Sequence, residues 1–253
     1  MKVSIITVVW NGKKTIQNAI DSVLNQTYSN IEYIVIDGDS TDGTVSVVQN
    51  YGDRISKFIS EPDKGLYDAM NKGIKLASGD IIGFINSDDL LNSNDCIECI
   101  VKEFIKSDAD IIYGDKVYVA YGDISKRIRY WKAGTLNRDN YKKGWMTPHL
   151  STYIKKDLYV KYGNFRIDFK IAADYELMFR FIYKYKAKVH YLPKVIAKMR
   201  VGGVSNSSLK NIITSNYEVY RSWEVNGFKV SPLIIFQKPI SKLRQFFFKK
   251  SKQ

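Results

Sequence analysis

The sequence has few of the residues that build disulfide frameworks, zinc sites or membrane spans. Its 253 residues include two cysteines and two histidines, and no apolar run approaches the roughly 18 residues that a membrane-spanning helix needs. Cys96 and Cys99 form an isolated Cys-x-x-Cys without the second pair or nearby histidine that would complete a zinc site. We therefore expect two reduced thiols. The chain starts directly with a strand-like segment instead of a secretory leader, which predicts a cytoplasmic protein.

Acidic residues are absent from the C-terminal segment after Glu224. The formal net charge of the chain is +13, and this segment carries much of the excess of basic residues. A helix would place Ile240, Leu243 and Phe247 on one face, with lysines opposite. This arrangement is typical of a helix that binds an anionic membrane surface, and it favours lipid over nucleic acid. A helix packed on the protein with solvated lysines is the alternative.

Apolar periodicity in the first half predicts a sheet flanked by helices. Residues 3–9 and 31–36 are continuous apolar runs of the kind found in strands buried on both faces, and residues 15–24 between them have helical spacing. Strands and helices alternate in this way to about residue 115. The pattern predicts the α/β class, with an open, mostly parallel sheet that has helices on both faces.

The regular alternation ends at Gly114, after a short strand predicted at 111–113. A hairpin is predicted next, with strands at 116–121 and 125–131 around a Tyr-Gly-Asp turn. Shorter elements follow. They are strands at 151–154, 188–191 and 195–199, and helices at 157–162 and 174–184.

Acidic residues cluster where three of the predicted strands end. Asp37 and Asp39 follow the second strand, Asp63 follows the third, and the adjacent pair Asp88 and Asp89 follows the fourth. In an open α/β sheet, ligands bind beyond the carboxyl ends of the strands. We therefore expect these carboxylates to bind a ligand.

The adjacent pair Asp88 and Asp89 predicts a divalent cation. Two carboxylates at a sheet edge repel each other unless a cation or ligand lies between them, and two adjacent acids cannot both cap one helix. Mg²⁺ or Mn²⁺ can be held by one or two carboxylates, with phosphate oxygens and water as the remaining ligands. Such an ion would bridge a diphosphate and neutralise charge as the diphosphate leaves.

Five ordered blocks of sequence carry a specific resemblance. They are VSIITVVWN (3–11), AIDSVLNQTY (19–28), IDGDSTDGT (36–44), DKGLYDAMNKG (63–73) and NSDD (86–89). In this combination the chain resembles the family 2 inverting glycosyltransferases, which have the Rossmann-like GT-A fold. The block at 63–73 resembles enzymes that build bacterial exopolysaccharide or O-antigen units.

The resemblance implies roles for the acids at the strand ends. Asp88 falls where a carboxylate contacts the ribose or the metal, and Asp89 where one binds the metal. The family's Asp-Asp-Gly-Ser is here Asp37-Gly-Asp39-Ser, so either Asp37 or Asp39 reads the nucleotide base. Asp63 is expected to be a further nucleotide-binding residue.

The resemblance also implies a general base and an acceptor side. Displacement at the anomeric carbon needs a group that takes the proton of the acceptor hydroxyl. Asp174 matches the second acid of the family's Glu-Asp motif, whose first position is Ala173 here, although the helix dipole alone would favour an aspartate there. Trp145 and His149 are candidate acceptor contacts, and His149 could instead brace its loop.

These residues predict a metal-dependent glycosyltransferase that uses a nucleotide sugar, and a UDP-sugar is the commoner case in the family. The expected acceptor is a saccharide or a polyprenyl-linked sugar. We predict a GT-A domain at 1–205, with a nucleotide-sugar half at 1–115 and an acceptor half, a small extension of the fold, at 116–205. The helical, basic tail at 206–253 would hold the protein at the cytoplasmic face of the inner membrane.

Two other functions fit part of the sequence. A nucleotidyltransferase has a related sheet, but the loop after the first strand lacks the glycine-rich basic sequence of those enzymes. A non-catalytic basic module that binds membrane or nucleic acid would leave the acidic strand ends unexplained.

Overall fold

The alternating first half of the chain folds into the parallel part of one sheet. The computed structural model describes residues 1–202 and 208–231, and their strands form a single nine-stranded sheet. The parallel strands are β1 (Val3–Val9), β2 (Ile31–Asp37), β3 (Lys57–Ser60) and β4 (Ile81–Phe84). They lie in the order β3-β2-β1-β4, so their carboxyl ends share one edge.

Helices cover both faces of this parallel part, and each face has its own buried cluster. The helices of the first half are α1 (Ile16–Leu24), α2 (Thr44–Gln49), α3 (Leu66–Leu76) and α4 (Cys96–Lys106). In α1 the buried side chains recur at helical spacing, because Ile16, Ala19, Ile20 and Val23 all face the sheet. Cys96 and Cys99 are free thiols, as expected, and Cys96 is buried.

The second half adds strands of both directions, so the sheet as a whole is mixed. These strands are β5 (Leu90–Leu91), β6 (Ile111–Val119), β7 (Arg127–Trp131), β8 (Thr152–Lys155) and β9 (Val189–Arg200). The order continues β4-β8-β6-β9-β5, with β7 paired to β6. Strand β8 is antiparallel to both of its neighbours, whereas β6 and β9 are parallel. The predicted α/β class, with helices on both faces of the sheet, is confirmed.

Gly114 does not end a strand, contrary to the sequence prediction. Strand β6 runs through it and joins the two segments predicted separately, and β9 likewise joins two predicted strands. A Cβ atom at position 114 would lie 2.6 Å from the carbonyl oxygen of Lys194 and 2.5 Å from a side-chain carbon of Ile196. Glycine therefore permits the close approach of β9, and the register shifts at this point.

The remaining helices pack around the second half of the sheet. They are α5 (Lys156–Tyr162), α6 (Ala173–Met178), which continues as a π-helical segment (Phe179–Lys184), and α7 (Leu209–Val225). Helix α7 belongs to the core, because Val219 and Trp223 are buried and the Trp223 indole donates a hydrogen bond to the Tyr175 hydroxyl (3.2 Å). No helix within 1–202 and 208–231 is both long enough and apolar enough to cross a membrane. The amphipathic segment predicted around residues 240–249 lies outside the described residues.

Candidate active site

Asp37 lies at the end of β2 with one carboxylate oxygen available. The residue is fully buried, and its Oδ2 accepts hydrogen bonds from the Ser40 backbone N–H (2.9 Å) and the Ser60 hydroxyl (2.7 Å). Its Oδ1 is also buried but has no hydrogen-bond partner among the described residues. A buried acceptor without a donor is costly, which makes this oxygen a natural contact for an N–H of a ligand. Asp39 is exposed and has a positive φ of 63°.

Asp63 and Trp10 lie beside Asp37, although they come from other strand ends. A Cβ atom at Gly38 would lie 2.5 Å from Asp63 Oδ2 and 3.7 Å from the Trp10 Cβ. The Trp10 side chain is 70% exposed, which is unusual for a large aromatic residue that follows a buried strand. An exposed ring at this edge of the sheet suits a flat base, and Trp10 was not among the site residues predicted from the sequence.

The loop after β1 is tied to the loop after β2 by four hydrogen bonds. Asn11 donates its N–H to Ser40 Oγ (2.7 Å), and its side-chain oxygen accepts the N–H of Thr41 (2.9 Å). The N–H groups of Gly12 and Lys13 bond to the side chains of Thr44 (2.9 Å) and Asp42 (3.0 Å). These contacts fix the edge from which Trp10 projects.

Asp88 and Asp89 follow β4 and differ in their surroundings. Asp89 is 1% exposed, and its two oxygens accept hydrogen bonds from the Arg200 N–H (3.0 Å) and the Asn86 amide (3.2 Å). Burial, together with the charge of Asp88, raises the pKa of Asp89 to about 7, although Arg200 and Lys116 oppose the shift. Burial also raises the pKa of Asp88, which is half-buried. A cation bound between the two carboxylates would lower both pKa values.

The donor set around this pair fits a divalent ion only in part. The described residues contain no group of three or more histidine, cysteine, aspartate or glutamate side chains that could hold a metal. An ion bound by Asp88 and Asp89 would therefore take its other ligands from a substrate diphosphate and water, as Mg²⁺ commonly does. Asp88 is the more accessible of the two carboxylates.

Arg200 holds the Asp88–Asp89 segment in place. Its side chain is buried and donates hydrogen bonds to the Asp88 carbonyl, the Asn18 side chain (2.7 Å) and the Tyr121 carbonyl (3.2 Å). One guanidinium group thus connects α1, the end of β4 and the turn after β6. This role of Arg200 could not be predicted from the sequence, because its partners lie far apart in the chain.

Asp174 lies at the start of α6, beside Tyr67 of α3. The residue is half-buried, and its Oδ1 accepts the Tyr175 N–H (2.8 Å) and lies 3.5 Å from the Tyr67 hydroxyl. That hydroxyl also donates a hydrogen bond to the Ile171 carbonyl (2.7 Å). Tyr67 lies in α3, four positions after Asp63 in the chain, so this helix supports Asp174 and the loop before it.

Glu218 of α7 positions the loop that leads into Asp174. Its carboxylate is buried and accepts the backbone N–H groups of Lys170 (2.7 Å), Ile171 (2.9 Å) and Ala172 (2.8 Å). Glu218 was not among the site residues predicted from the sequence. An acid on a helix more than 40 positions away gives no local signal of such a contact.

Glu176, two residues after Asp174, points away from the site. It is 1% exposed and pairs with the Arg180 guanidinium (3.0 Å) and the Asn226 amide (2.9 Å). Its carboxylate therefore holds α6 against the segment that follows α7, and the catalytic role of Asp174 stays a prediction.

His149 packs between aromatic rings close to Asp174. Its imidazole stacks on Phe84 (5.4 Å between centroids) and meets the edge of Phe165 (5.8 Å). Neither ring nitrogen has a hydrogen-bond partner in the described part of the chain. Burial lowers the pKa of His149. The charge of Asp174 raises this pKa, and the charge of Lys116 lowers it further. The ring thus packs against its neighbours while both nitrogens remain without a protein partner among the described residues, and an acceptor contact by His149 stays a prediction.

Trp145 is half-buried and packs edge-on against the Tyr141 ring (6.1 Å between centroids). It joins the aromatic cluster that α6 and α7 form with the sheet. The structure shows no contact between Trp145 and Asp174 or His149, so its role at the acceptor side stays a prediction.

The model of glycosyl transferase family 2 matches residues 4–160 of the chain, which is more than half of its length. The chain belongs to this family. It is therefore a glycosyltransferase, and the family resemblance that the five sequence blocks carry is confirmed.

Two curated relatives agree with this assignment. An uncharacterized glycosyltransferase of Mycobacterium tuberculosis (strain CDC 1551 / Oshkosh) is 33% identical over 189 residues, which are 70% of this chain and 68% of the relative. A PGL/p-HBAD biosynthesis glycosyltransferase of Mycobacterium bovis (strain BCG / Pasteur 1173P2) is 28% identical over 211 residues, which are 81% and 79% of the two chains.

Solved glycosyltransferase structures share the fold. S. aureus TarS is 18% identical with a TM-score of 0.69 over 98% of this chain, which spans only 44% of the TarS chain. The mannosyltransferase PcManGT from Pyrobaculum calidifontis, in complex with GDP-Man and Mn²⁺, is 19% identical with a TM-score of 0.67, covering 94% of this chain and 68% of PcManGT. At these identities the likeness establishes the GT-A architecture of the glycosyltransferase.

Proposed function

We propose that this glycosyltransferase moves a sugar, with inversion, from a nucleoside diphosphate sugar to a saccharide or polyprenyl-linked acceptor of a bacterial surface polysaccharide. The observation that supports this most is the set of acids that the parallel strands bring to one edge of the sheet, where the buried Asp37 Oδ1 has no hydrogen-bond partner among the described residues. Family membership excludes the nucleotidyltransferase and the non-catalytic binding module as alternatives.

The nucleotide would bind at the ends of β1 to β3. Asp37 Oδ1 would accept an N–H of the base, as the imide of uracil can provide, because this buried oxygen has no protein donor in the described residues. The Trp10 ring would stack on the base and Asp63 would contact the nucleoside. Asp39, exposed beside them, is the less favoured base contact. A UDP-sugar is the donor that we propose.

The diphosphate would lie next to Asp88 and Asp89, the residues that would hold a divalent ion. The ion would supply positive charge to the leaving diphosphate. Asp174 would take the proton of the acceptor hydroxyl as that oxygen bonds to the anomeric carbon and the nucleoside diphosphate departs. Its Oδ2 has no hydrogen-bond partner in the described ranges, whereas Oδ1 is held by Tyr175.

We also propose two features of the wider protein. Residues 1–115 would form the donor half and 116–205 the acceptor half, where Trp145 and His149 would contact the acceptor. The basic segment after residue 231 would hold the enzyme on the cytoplasmic face of the inner membrane. Cosedimentation with anionic vesicles tests this, because a chain ending at Ser231 should then lose binding that the full chain shows.

The decisive experiment measures release of nucleoside diphosphate from a panel of nucleotide sugars, with Mn²⁺ and with chelator. Asp88→Asn should lower turnover roughly a hundredfold or more, while Asp53→Asn, an exposed control in a surface turn, should not. Asp174→Asn should lower transfer but leave nucleotide binding intact. Turnover that persists with chelator and in Asp88→Asn would overturn the metal role. The absence of both turnover and Mn²⁺-dependent thermal stabilisation by every donor would overturn the proposed function.

A further inference from the structure

Lys116 is a buried cation that neither the family resemblance nor the proposed mechanism uses. It lies in β6, paired with Ala197 of β9 on one side and Trp131 of β7 on the other. The residue is 6% exposed. Lysine is almost never buried to this degree unless its ammonium group is paired.

The ammonium group of Lys116 has no oxygen acceptor among the described residues. Its one hydrogen bond goes to the thioether of Met199 (3.4 Å), which is a weak acceptor. The rings of Trp131 and Tyr118 lie 4.6 Å and 5.0 Å from Nζ, and such contacts offset part of the cost of burying the charge. An ammonium group has three donors, so capacity is left for an anion.

The surroundings of Lys116 place it close to the metal-binding acids. The neighbouring Asp115 is satisfied on the other face of β6, by the Tyr191 hydroxyl (2.8 Å) and the Ala133 N–H (2.8 Å). Burial mainly raises the pKa of Asp89, and the charge of Lys116 lowers it. Burial mainly lowers the pKa of His149, and the charge of Lys116 lowers it further. Met199, which accepts the hydrogen bond of Lys116, directly precedes Arg200, whose N–H is bonded to Asp89 (3.0 Å), so the ammonium group lies close to the metal-binding acids.

We propose that Lys116 binds the terminal phosphate of the bound nucleoside diphosphate. The inference rests on the proposed function and names a further residue for it. In the transfer step the acceptor oxygen bonds to the anomeric carbon and gives its proton to Asp174, and the bond from that carbon to the phosphate oxygen breaks. Its electron pair stays on the terminal phosphate, where Lys116 stabilises the added negative charge.

This assignment predicts opposite effects of one substitution on stability and on binding. Lys116→Met removes a buried charge that has no oxygen partner and adds a side chain of similar shape, so the free protein should be as stable as before or more stable. The same change removes a charge-assisted hydrogen bond to phosphate. Affinity for a nucleoside diphosphate should fall roughly ten- to a hundredfold.

The test compares diphosphates with monophosphates by calorimetric titration in Mn²⁺. UDP, UMP, GDP and GMP are titrated into the wild type, into Lys116→Met and into Lys198→Met, a control on β9 that pairs with the adjacent position 117. We expect Lys116→Met to weaken the diphosphate that the wild type binds and to leave the matching monophosphate unchanged. The melting temperature should not fall, and the control should behave as the wild type.

Three results would overturn the proposal, and they differ from one another. Unchanged diphosphate affinity in Lys116→Met would show that the ammonium group does not reach the phosphate. Equal losses for diphosphate and monophosphate with a lower melting temperature would show a structural role. A wild-type protein that binds neither UDP nor GDP would remove the proposed function, and the inference with it.

Discussion

Replacing Glu218 by glutamine should uncouple catalysis from donor binding. The carboxylate accepts three backbone N–H groups from the loop before Asp174. Glutamine keeps one acceptor oxygen and turns the other into an NH₂ group, which faces an N–H donor. Hydrogen bonds to a charged group contribute about 1.5–3 kcal/mol each, and leaving a buried donor unsatisfied costs about 1–3 kcal/mol. Allowing for partial relaxation, Glu218→Gln should lower the free energy of unfolding by about 3 kcal/mol.

The functional effect should appear in turnover. The loop carries Ile171, whose carbonyl accepts the Tyr67 hydroxyl, and it leads directly into Asp174. A loosened loop misplaces the base, while the nucleotide contacts at the ends of β1 to β3 remain. We therefore expect kcat to fall and the dissociation constant for nucleoside diphosphate to stay within about twofold of wild type, because the altered loop lies apart from those contacts.

Urea denaturation and steady-state transfer kinetics measure the two effects. Glu224→Gln is the matched control, since it makes the same chemical change on an exposed position of α7. Its stability should stay within about 0.5 kcal/mol of wild type. If Glu218→Gln were as stable as this control, or if kcat and nucleotide affinity fell together, the proposed support of Asp174 by Glu218 would be refuted.

Two further predictions concern acid stability and the base contact. Burial alone would raise the pKa of Glu32, but hydrogen bonds from Ser4, Ser78 and Lys57 outweigh it and hold the pKa well below its usual range. The stability that this provides is complete above the pKa of the unfolded state and is lost as the pH falls towards the pKa of the folded state. Glu32→Gln should therefore lower the free energy of unfolding by about 2 kcal/mol at pH 7 and by much less in acid. Urea titrations across the pH range measure this difference. Trp10→Ala should weaken nucleotide binding roughly tenfold without lowering the melting temperature, because its ring is exposed. Unchanged affinity by calorimetry would exclude stacking.

The parallel half of the fold was predictable from the sequence because its signals are local. Strands buried on both faces need continuous apolar runs, and the ends of parallel strands meet at one edge, which located Asp37, Asp63 and Asp88. The second half was harder to predict. In the sequence, Gly114 looks like the end of a strand. In the structure, a glycine is needed there because β9 approaches the backbone of β6 closely.

The supporting residues of the site could not be predicted for a related reason. Arg200 bonds to Asn18, which is 182 positions away, and Glu218 bonds to residues 46 to 48 positions away. Lys116 is an ordinary strand residue in the sequence, and only its burial among aromatic rings sets it apart. Contacts between distant segments leave no periodicity and no motif.

The contacts of Arg200 bear on how acceptor specificity can change in this enzyme. A chain cut after residue 115 would lose β8, the antiparallel neighbour of β4, and both the N–H that holds Asp89 and the guanidinium that holds Asp88. The two halves are therefore not interchangeable modules. A recombination event that replaced residues 116–205 would have to supply an arginine in the same place, whereas substitutions in the loops of that segment leave the contacts that hold Asp88 and Asp89 intact.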